Sequence, residues 1–244
     1  MVSGPYEWRT SSNTHTGKVR SVNEDSILVK SDLLLWAVAD GMGGHEAGDV
    51  ASKMVVNSLE ALTDCDYLSK FVDQVEDALL NVNAKILDLS ANVYNGKTMG
   101  STVVVMTVKG AVGICMWAGD SRLYRFRHGE LKRISRDHSQ VEEMLARGLI
   151  SAEEAETHPA SNIITRAVGA GRELYIDITA FEIETNDTFM LCSDGLYNEV
   201  AEEDIVTCLN MKHVEQSTTT LLNYALSSGA RDNVSVVVSR AYPA

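Results

Sequence analysis

Residues 101–131, STVVVMTVKGAVGICMWAGDSRLYRFRHGEL, decide the fold class that we predict for this chain. The stretch consists of apolar runs rich in β-branched and aromatic residues, which favour strands. Three dipeptides typical of close turns separate the runs: Lys109-Gly110, Gly119-Asp120 and His128-Gly129. Because neighbouring parallel strands need a long crossover, strands joined by such short turns must be antiparallel.

Elsewhere the chain alternates between strand-like and helical blocks. Further strand-like runs lie at residues 25–40, 174–194 and 233–241, and apolar residues recur with helical spacing at 51–62, 72–89, 141–149, 202–209 and 214–227. Because the helices come in pairs between blocks of antiparallel strands, the pattern predicts an α+β fold with helices outside two packed sheets. No linker-like segment divides the sequence, so we expect a single domain over residues 1–244.

The composition limits the classes of partner. The formal net charge of −13 argues against nucleic acid or an anionic membrane, because both attract stripes of Lys and Arg. No apolar run approaches the ~18 residues of a membrane span, and the N-terminal MVSGPYEWRT lacks the pattern of a signal peptide. The four cysteines form no CxxC pair, which favours free thiols in a reducing compartment. A cytoplasmic protein is expected.

A glycine-rich loop after a strand, LLLWAVADGMGGHEAGDVASKMVV at residues 33–56, first resembles a phosphate cradle. The dinucleotide fingerprint G-x-G-x-x-G would need a third glycine where Glu46 stands, and the P-loop would need a lysine that is absent. Asp40, Glu46 and Asp49 would also repel a phosphate. The loop therefore does not indicate a nucleotide site.

The better clue is that an aspartate repeatedly stands where an apolar run meets a glycine or a turn. Asp40, Asp120 and Asp194 each end such a run, and Asp232 precedes the last one. One Asp-Gly pair is most often only a turn, but four aspartates that each adjoin a strongly apolar run are harder to dismiss. If these strand ends meet at one edge, their repulsion calls for hard divalent cations, and Mg²⁺ or Mn²⁺ take oxygen ligands.

The segment GKVRSVNEDSILV adds a cation to this picture. Arg20 is followed by Asn23, Glu24 and Asp25 as a strand begins. An arginine among acids is usually a surface ion pair, but beside a metal-carboxylate site it becomes a candidate bidentate clamp for phosphate. A metal centre with a phosphate clamp favours metal-assisted phosphoryl hydrolysis.

These motifs, taken together and in order, resemble the PP2C-type (PPM) protein serine/threonine phosphatases, in particular the stand-alone bacterial branch. The resemblance covers residues from about 14 to about 238 and rests on VRSVNEDS, VADGMGGHEAG, MGSTVVV, WAGDSRLYRFRHGEL, RDHSQVEEMLARGLI, NIITRAVG, LCSDGL and RDNVSVVV. It implies an αββα sandwich, two antiparallel sheets flanked by helix pairs, with metal ions at one edge. A flap segment is implied at about 137–165.

The resemblance also implies roles for individual residues. Two ions of Mn²⁺ or Mg²⁺ would form a binuclear centre and share the hydroxide that attacks the phosphorus directly. Asp40 would bridge them, the Gly41 carbonyl would complete the second site, and Asp194 and Asp232 would hold the first ion. Asp120 would bind a third, weaker ion, to which Asp194 could contribute. Glu24 and Asp25 would order metal-bound waters, and Arg20 would grip the substrate phosphate.

Two positions depart from the family pattern. Eukaryotic members usually have a histidine directly after the Asp-Gly pair as the proposed general acid, and here that position is Met42. The nearest histidine is His45, which could donate the proton or could only cap the next helix. Many bacterial relatives carry a basic residue two positions after an HP pair, and here that position is Ser161.

The function that the resemblance implies is hydrolysis of phosphoserine and phosphothreonine in proteins, as part of signal transduction. The expected partners are a bacterial Ser/Thr kinase or its substrates, with type VI secretion as one possible setting, and a monomer is expected. Two alternatives remain open. One is a catalytically silent PP2C-like module that only binds phosphoproteins, and the other is a two-metal nuclease, which the acidic charge disfavours.

Overall fold

The computed structural model describes residues 5–43, 46–156, 158–160 and 163–244. Two antiparallel sheets lie face to face, and helices cover the outer face of each. The strands are β1 (Tyr6–His15), β2 (Asp25–Lys30), β3 (Leu35–Met42), β4 (Gly100–Ser101), β5 (Val103–Lys109), β6 (Val112–Ala118), β7 (Arg122–Arg127), β8 (Glu130–Arg133), β9 (Asp177–Glu182), β10 (Thr188–Cys192) and β11 (Val234–Pro243). The helices are α1 (Glu46–Glu60), α2 (Leu68–Asn92), α3 (Gln140–Ala146), α4 (Ala152–Glu156), α5 (Asp194–Tyr197), α6 (Glu202–Leu209) and α7 (Val214–Ser228). The predicted αββα sandwich is confirmed.

The strand order explains how distant segments reach the same edge. The first sheet has the order β1-β11-β10-β7-β8, and the second has the order β2-β3-β5-β6-β9, with β4 paired to β3. All named pairs are antiparallel. The C-terminal ends of β3 and β10 therefore lie beside the N-terminal ends of β2 and β11.

Three apolar layers separate the sheets and helices, and strand β5 shows why. Val103 and Val105 pack in the layer beneath α1 and α2, whereas Val104 and Met106 pack between the two sheets. The third layer lies between the first sheet and helices α6 and α7. Because both faces of a central strand are covered, its sequence is apolar at nearly every position and does not alternate with polar residues.

The turn at Gly119-Asp120 differs from the prediction. The turns after β5 and β7 do join antiparallel neighbours, but β6 and β7 belong to different sheets. Gly119 has a φ of +116°, and a Cβ on it would lie 2.6 Å from the Cβ of Thr102. This conformation and close approach suit glycine, and they let the chain cross between the sheets where the sequence suggests an ordinary hairpin.

Strand β1 has no apolar run to mark it, and the sequence analysis does not predict it. It pairs along its whole length with β11. Hydroxyl groups stand at some of the positions where β1 contacts β11. Thr10 Oγ1 bonds Ser239 Oγ and Thr14 Oγ1 bonds Ser235 Oγ, each at 2.8 Å. Such cross-strand hydroxyl pairs stabilise a sheet without the hydrophobic alternation that reveals a strand.

Helices α3 and α4 lie between β8 and β9, within the residues where a flap is predicted. Ser139 caps α3 by accepting a hydrogen bond from the Glu142 N–H at 3.2 Å. Ser151 and Glu154 exchange the two hydrogen bonds of a capping box at the start of α4. These caps explain why two short helices form where little apolar surface is buried. Over the described ranges, no helix combines the length and apolarity needed to span a membrane.

The layer beneath α2 yields a paired test of the packing. Leu79 is fully buried and its neighbour Leu80 is 40% exposed. We expect Leu79→Ala to lower the free energy of unfolding by about 2–5 kcal/mol, because it leaves a cavity. Leu80→Ala should change it by only about 0.5 kcal/mol. Urea denaturation followed by circular dichroism measures both, and equal losses would contradict the assignment of α2 faces.

Candidate metal centre

The predicted acidic residues converge at the edge where the two sheets meet. Asp25 opens β2 and lies opposite Asp40 of β3 in the strand register. Asp120 follows β6 at the crossing between the sheets, and Asp194 begins α5 just after β10. Asp232 stands two residues before β11. The antiparallel order places Asp25 beside Asp40 in one sheet and the end of β10 beside the start of β11 in the other, and the stacking of the two sheets brings these carboxylates together.

A close backbone contact holds Asp194 next to the loop of Asp232. Gly195 packs against the start of β11, where a Cβ on Gly195 would lie 2.0 Å from the carbonyl oxygen of Asn233. A larger residue would push the two loops apart. This explains the glycine in LCSDGL by packing rather than by a turn.

Burial and mutual repulsion raise the pKa values of these carboxyl groups. The pKa of Asp40 lies well above its usual range, because the group is buried and because Asp25, Asp194, Asp120 and Asp232 repel its charge. Burial is also the main cause of the raised pKa values of Asp25 and Asp120, each about 7, and of Asp194, about 6. Like charges this close favour protonation or a bound cation.

Within the described part of the chain, several buried carboxylate oxygens have no hydrogen-bond partner. They are Asp25 Oδ1, Asp194 Oδ1 and Glu24 Oε1. Buried polar atoms are almost always bonded, so these oxygens have ligand capacity that the protein does not use. An oxygen-rich donor set with surplus negative charge fits Mg²⁺ or Mn²⁺.

Among the described residues, no three His, Cys, Asp or Glu side chains are already grouped so that they could hold one ion. Mg²⁺ is usually bound through one or two carboxylates and keeps several waters. The predicted ligand set follows that pattern, with few carboxylates for each ion. The absence of such a group among the described residues is therefore compatible with a metal centre in which each ion has few carboxylate ligands.

Arg20 lies beside the acidic cluster, as predicted, but it also has a partner that the sequence did not reveal. Its Nη2 donates to Asp232 Oδ2 at 2.7 Å. The side chain is 52% exposed, which leaves much of the guanidinium open to the solvent. The ion pair places the guanidinium of Arg20, the predicted phosphate clamp, next to a predicted metal ligand.

Asp25 and Glu24, which are predicted to support the ligands, are tied by hydrogen bonds to the segments around the acidic cluster. Asp25 Oδ2 accepts a hydrogen bond from Ser193 Oγ at 2.8 Å, and Ser193 Oγ accepts one from the Ser235 N–H at 3.0 Å. Glu24 is partly buried and its pKa is raised, mainly by burial. Its backbone oxygen accepts a hydrogen bond from the Gly41 N–H at 3.1 Å, which links the loop of Glu24 to the predicted metal ligand Gly41.

Asn233 is an organising residue that the sequence analysis missed. Its Nδ2 donates to the backbone oxygens of Thr16 and Val22 at 2.8 and 2.9 Å, and its Oδ1 accepts from the Glu24 N–H at 2.7 Å. One side chain thus ties the loop that carries Arg20 to the start of β11. Its place directly after Asp232, in RDN, was the available signal.

Thr102 is a second missed residue. Its Oγ1 accepts a hydrogen bond from the Asp40 N–H at 3.1 Å and bonds Ser121 Oγ at 2.7 Å. The Thr102 side chain also lies against Gly119. Thr102 therefore connects the strand of Asp40 to the crossing that carries Asp120.

His138, which follows β8, holds the same crossing through a hydrogen bond to the backbone of Gly119. Its Nδ1 accepts a hydrogen bond from the Gly119 N–H at 3.1 Å, and its Nε2 lies 3.3 Å from Asp177 Oδ2. The ring stacks on Trp117, with centroids 6.1 Å apart. Burial lowers the pKa of His138, which favours the neutral imidazole that these contacts need.

The two positions that depart from the family pattern have different outcomes. Met42 ends β3, so it is part of the strand that carries Asp40. His45 and Ser161 lie outside the described residues. The role of His45 as general acid therefore stays a prediction.

Comparisons with known proteins agree with this geometry. The model of the family protein phosphatase 2C matches residues 14–235. Serine/threonine protein phosphatase PstP of Mycobacterium tuberculosis is 36% identical over 231 residues, which cover 95% of this chain and 44% of PstP. The chain thus spans less than half the length of that relative.

Solved structures match over the whole chain. PppA, a key regulatory component of the T6SS in Pseudomonas aeruginosa, has a TM-score of 0.90 and 38% identity, and the match covers 99% of both chains. The catalytic domain of PstP in complex with two manganese ions has a TM-score of 0.82 and 33% identity, covering 96% of this chain and 98% of that one. This chain belongs to the protein phosphatase 2C family, which confirms the predicted resemblance.

The raised pKa values predict how the metal-free protein responds to pH. Asp25, Asp120 and Asp194 hold protons more tightly in the folded state than in the unfolded chain, where the pKa is about 3.9. The folded state therefore binds more protons, and its stability falls as pH rises from about 4 through about 7.

We expect a lower Tm for EDTA-treated protein at about pH 8 than at about pH 5.5, and a larger gain from Mn²⁺ at the higher pH. Differential scanning fluorimetry measures both. Asp120→Asn should flatten the profile, and the exposed control Asp32→Asn should not. A metal-free Tm that rises between these pH values would contradict the explanation.

Asn233 gives a test of the loop anchor. Asn233→Ala removes three hydrogen bonds to partly buried backbone groups, so we expect the free energy of unfolding to fall by about 1–3 kcal/mol. Asn223→Ala, at an exposed site on α7, should change it by no more than about 0.5 kcal/mol. Urea denaturation compares the two, and similar values would mean that Asn233 does not anchor the loop.

Proposed function

We propose that this chain is a metal-dependent protein phosphatase that hydrolyses phosphoserine and phosphothreonine in proteins. The observation that carries the proposal is the cluster of buried carboxylates from both sheets, with partnerless oxygens and an arginine beside it. Membership of the protein phosphatase 2C family supports the same reaction, as do the manganese ions in the PstP catalytic domain. We also propose that residues 1–244 form one catalytic domain, with the flap at about 137–165.

The proposed ligands follow the placement of the acids. Asp40 would contact both ions, the Gly41 carbonyl would complete the second site, and Asp194 and Asp232 would hold the first ion. Asp120 would bind a third ion, with Asp194 within reach. When bound, Mn²⁺ or Mg²⁺ would supply Lewis acidity towards the phosphoryl oxygens and would lower the pKa of a bound water towards neutrality.

The chain's own residues supply binding and orientation. Arg20 would hold the phosphoryl group through charge-assisted N–H···O hydrogen bonds, which match phosphate geometry. Glu24 and Asp25 would accept hydrogen bonds from waters at the centre, and the partnerless Oδ1 of Asp25 and Oε1 of Glu24 support this role. His45 is the proposed donor of the proton to the leaving serine or threonine oxygen.

The proposed substrates are phosphorylated proteins, and the proposed setting is signalling opposite a bacterial Ser/Thr kinase in the cytoplasm. The similarity to PppA supports regulation of a type VI secretion system as one such setting. The proposed oligomeric state is a monomer. Neither nucleic acid nor a membrane is a proposed partner, and the net charge of −13 is the reason.

The two alternatives are less well supported. A silent phosphoprotein-binding module would not need the buried, mutually repelling carboxylates, which are costly unless they bind cations. A two-metal nuclease would need a basic groove along the nucleic-acid backbone, and the formal net charge of −13 disfavours one.

Substitution of Asp40 tests the proposed function. Asp40→Asn keeps the side-chain volume but removes the charge that would bind both ions. We expect Mn²⁺-dependent release of phosphate from a phosphothreonine peptide to fall by at least about a hundredfold, since losses of supporting partners alone cost about 10–100-fold. Asp88→Asn, at an exposed position of α2, should retain full activity.

Circular dichroism of both variants shows that a loss is not due to unfolding, and a parallel assay with DNA tests the nuclease. Full activity of Asp40→Asn with Mn²⁺ would overturn the proposed metal site. Phosphopeptide binding by the wild-type protein without phosphate release would favour the binding module, and metal-dependent DNA cleavage would favour the nuclease.

A further inference from the structure

A cavity of about 410 Å³ opens beside the proposed metal centre, and its wall includes a guanidinium that the proposed mechanism does not use. One part of its wall is formed by Arg20, Asp194 and Asp232. Another part is formed by Asn198, Glu199 and Arg231. Arg231 is the group that remains unexplained.

Arg231 is held by a buried carboxylate while most of its side chain faces solvent. Its Nε donates to Glu199 Oε1 at 2.9 Å, and its backbone N–H lies 3.5 Å from the same oxygen. The Arg231 side chain is 78% exposed, whereas that of Glu199 is 6% exposed. A guanidinium has five N–H donors, so the bond through Nε leaves the donors of both terminal nitrogens for another acceptor.

The position of Arg231 places those donors near the residues that flank a bound phosphoserine. Arg231 directly precedes Asp232, so their Cα atoms are about 3.8 Å apart. Arg20, the proposed phosphate clamp, contacts Asp232 through an ion pair of 2.7 Å and lies in the wall of the same cavity as Arg231. An extended peptide advances about 3.3–3.6 Å per residue, so Arg231 is within reach of a side chain one or two positions from the phosphorylated residue.

The charge balance of the cavity favours an anion at this place. Glu199 is already paired with Arg231, and bound divalent cations would offset Asp194 and Asp232. Among the described residues, the terminal nitrogens of Arg231 donate no hydrogen bond, and a guanidinium in this cavity wall can match a carboxylate or a phosphoryl group in bidentate geometry.

We propose that Arg231 forms an anion subsite that selects substrates with an acidic side chain or a second phosphoryl group next to the phosphorylated residue. This inference rests on the proposed phosphatase function and extends it to substrate choice. Arg231 acts on the substrate's flanking residue and takes no part in the hydrolysis itself.

The test compares one small substrate with matched phosphopeptides. The small substrate is p-nitrophenyl phosphate, which has no flanking residue. The peptides have equal length and one scissile phosphoserine, with alanine, glutamate, lysine or a second phosphoserine at the neighbouring position on either side. The proteins are the wild type, Arg231→Ala, Arg231→Glu and the control Arg172→Ala, which removes another exposed arginine away from the cavity wall.

For the wild type, we expect kcat/KM to be about two- to fivefold higher for a peptide with an acidic neighbour than for its alanine counterpart, the range of a partly exposed charge pair. Arg231→Ala should remove this preference, and Arg231→Glu should reverse it in favour of lysine. Hydrolysis of p-nitrophenyl phosphate should stay unchanged in both variants. Arg172→Ala should behave as the wild type.

The peptide series identifies the anion. A preference for the glutamate peptide shows that a carboxylate is sufficient to bind at the subsite. A preference confined to the doubly phosphorylated peptide shows that the subsite needs a second phosphoryl group. Either preference should shrink in about 1 M salt, where the Debye length is about 3 Å.

Two results would overturn the subsite. One is an acidic preference that persists unchanged in both Arg231 variants, and the other is an equal loss towards p-nitrophenyl phosphate and all peptides, which would assign Arg231 to the support of the metal centre. A wild-type protein without Mn²⁺-dependent hydrolysis of p-nitrophenyl phosphate would instead contradict the proposed function, and the subsite with it.

Discussion

The repulsion between buried carboxylates at the meeting edge of the two sheets is the constraint around which this protein is built. Asp40 is surrounded by Asp25, Asp120, Asp194 and Asp232, and the mutual effect is visible in its raised pKa. Such a cluster costs free energy unless protons or cations offset the charge. The packing of the sheets stabilises the fold despite this repulsion, and binding of hard divalent cations would offset the repulsion. The feature that destabilises the edge is thus the same feature that fits it for phosphoryl chemistry.

Uncharged side chains keep this cluster in place. Asn233 ties the loop of Arg20 and Glu24 to the start of β11. Ser193 links Asp25 to the backbone of β11, and Thr102 links Asp40 to the crossing before Asp120. Each of these residues makes two or more hydrogen bonds to elements that are distant in sequence, so removing one would loosen several loops together. Hydrogen bonds of this kind hold ligands in place without adding further negative charge.

The sequence predicted the fold well where packing leaves a periodic trace. The runs of β5 and β6 are apolar because both of their faces are covered, and α2 shows helical spacing because one of its faces is buried. Strand β1 escaped prediction because hydroxyl pairs with β11 replace part of its hydrophobic pattern. The sequence predicts a hairpin turn at Gly119, where the structure has a crossing between the two sheets. A glycine and an aspartate between two apolar runs look the same in both cases.

By itself, the sequence determined which residues could form the centre: aspartates at the ends of apolar runs, an arginine before the first of them, and glycines that permit close contacts. It also determined the family, because those motifs occur in a fixed order along the chain. Only the tertiary structure decided that Arg20 contacts Asp232, that Asn233 and Thr102 hold the surrounding loops, and that Arg231 and Glu199 share the adjoining cavity. The physical reason is that burial selects apolar or polar residues position by position, so a strand or a helix leaves its pattern in a short stretch of sequence. Contacts between loops depend on how two sheets are stacked, which no short stretch of sequence records.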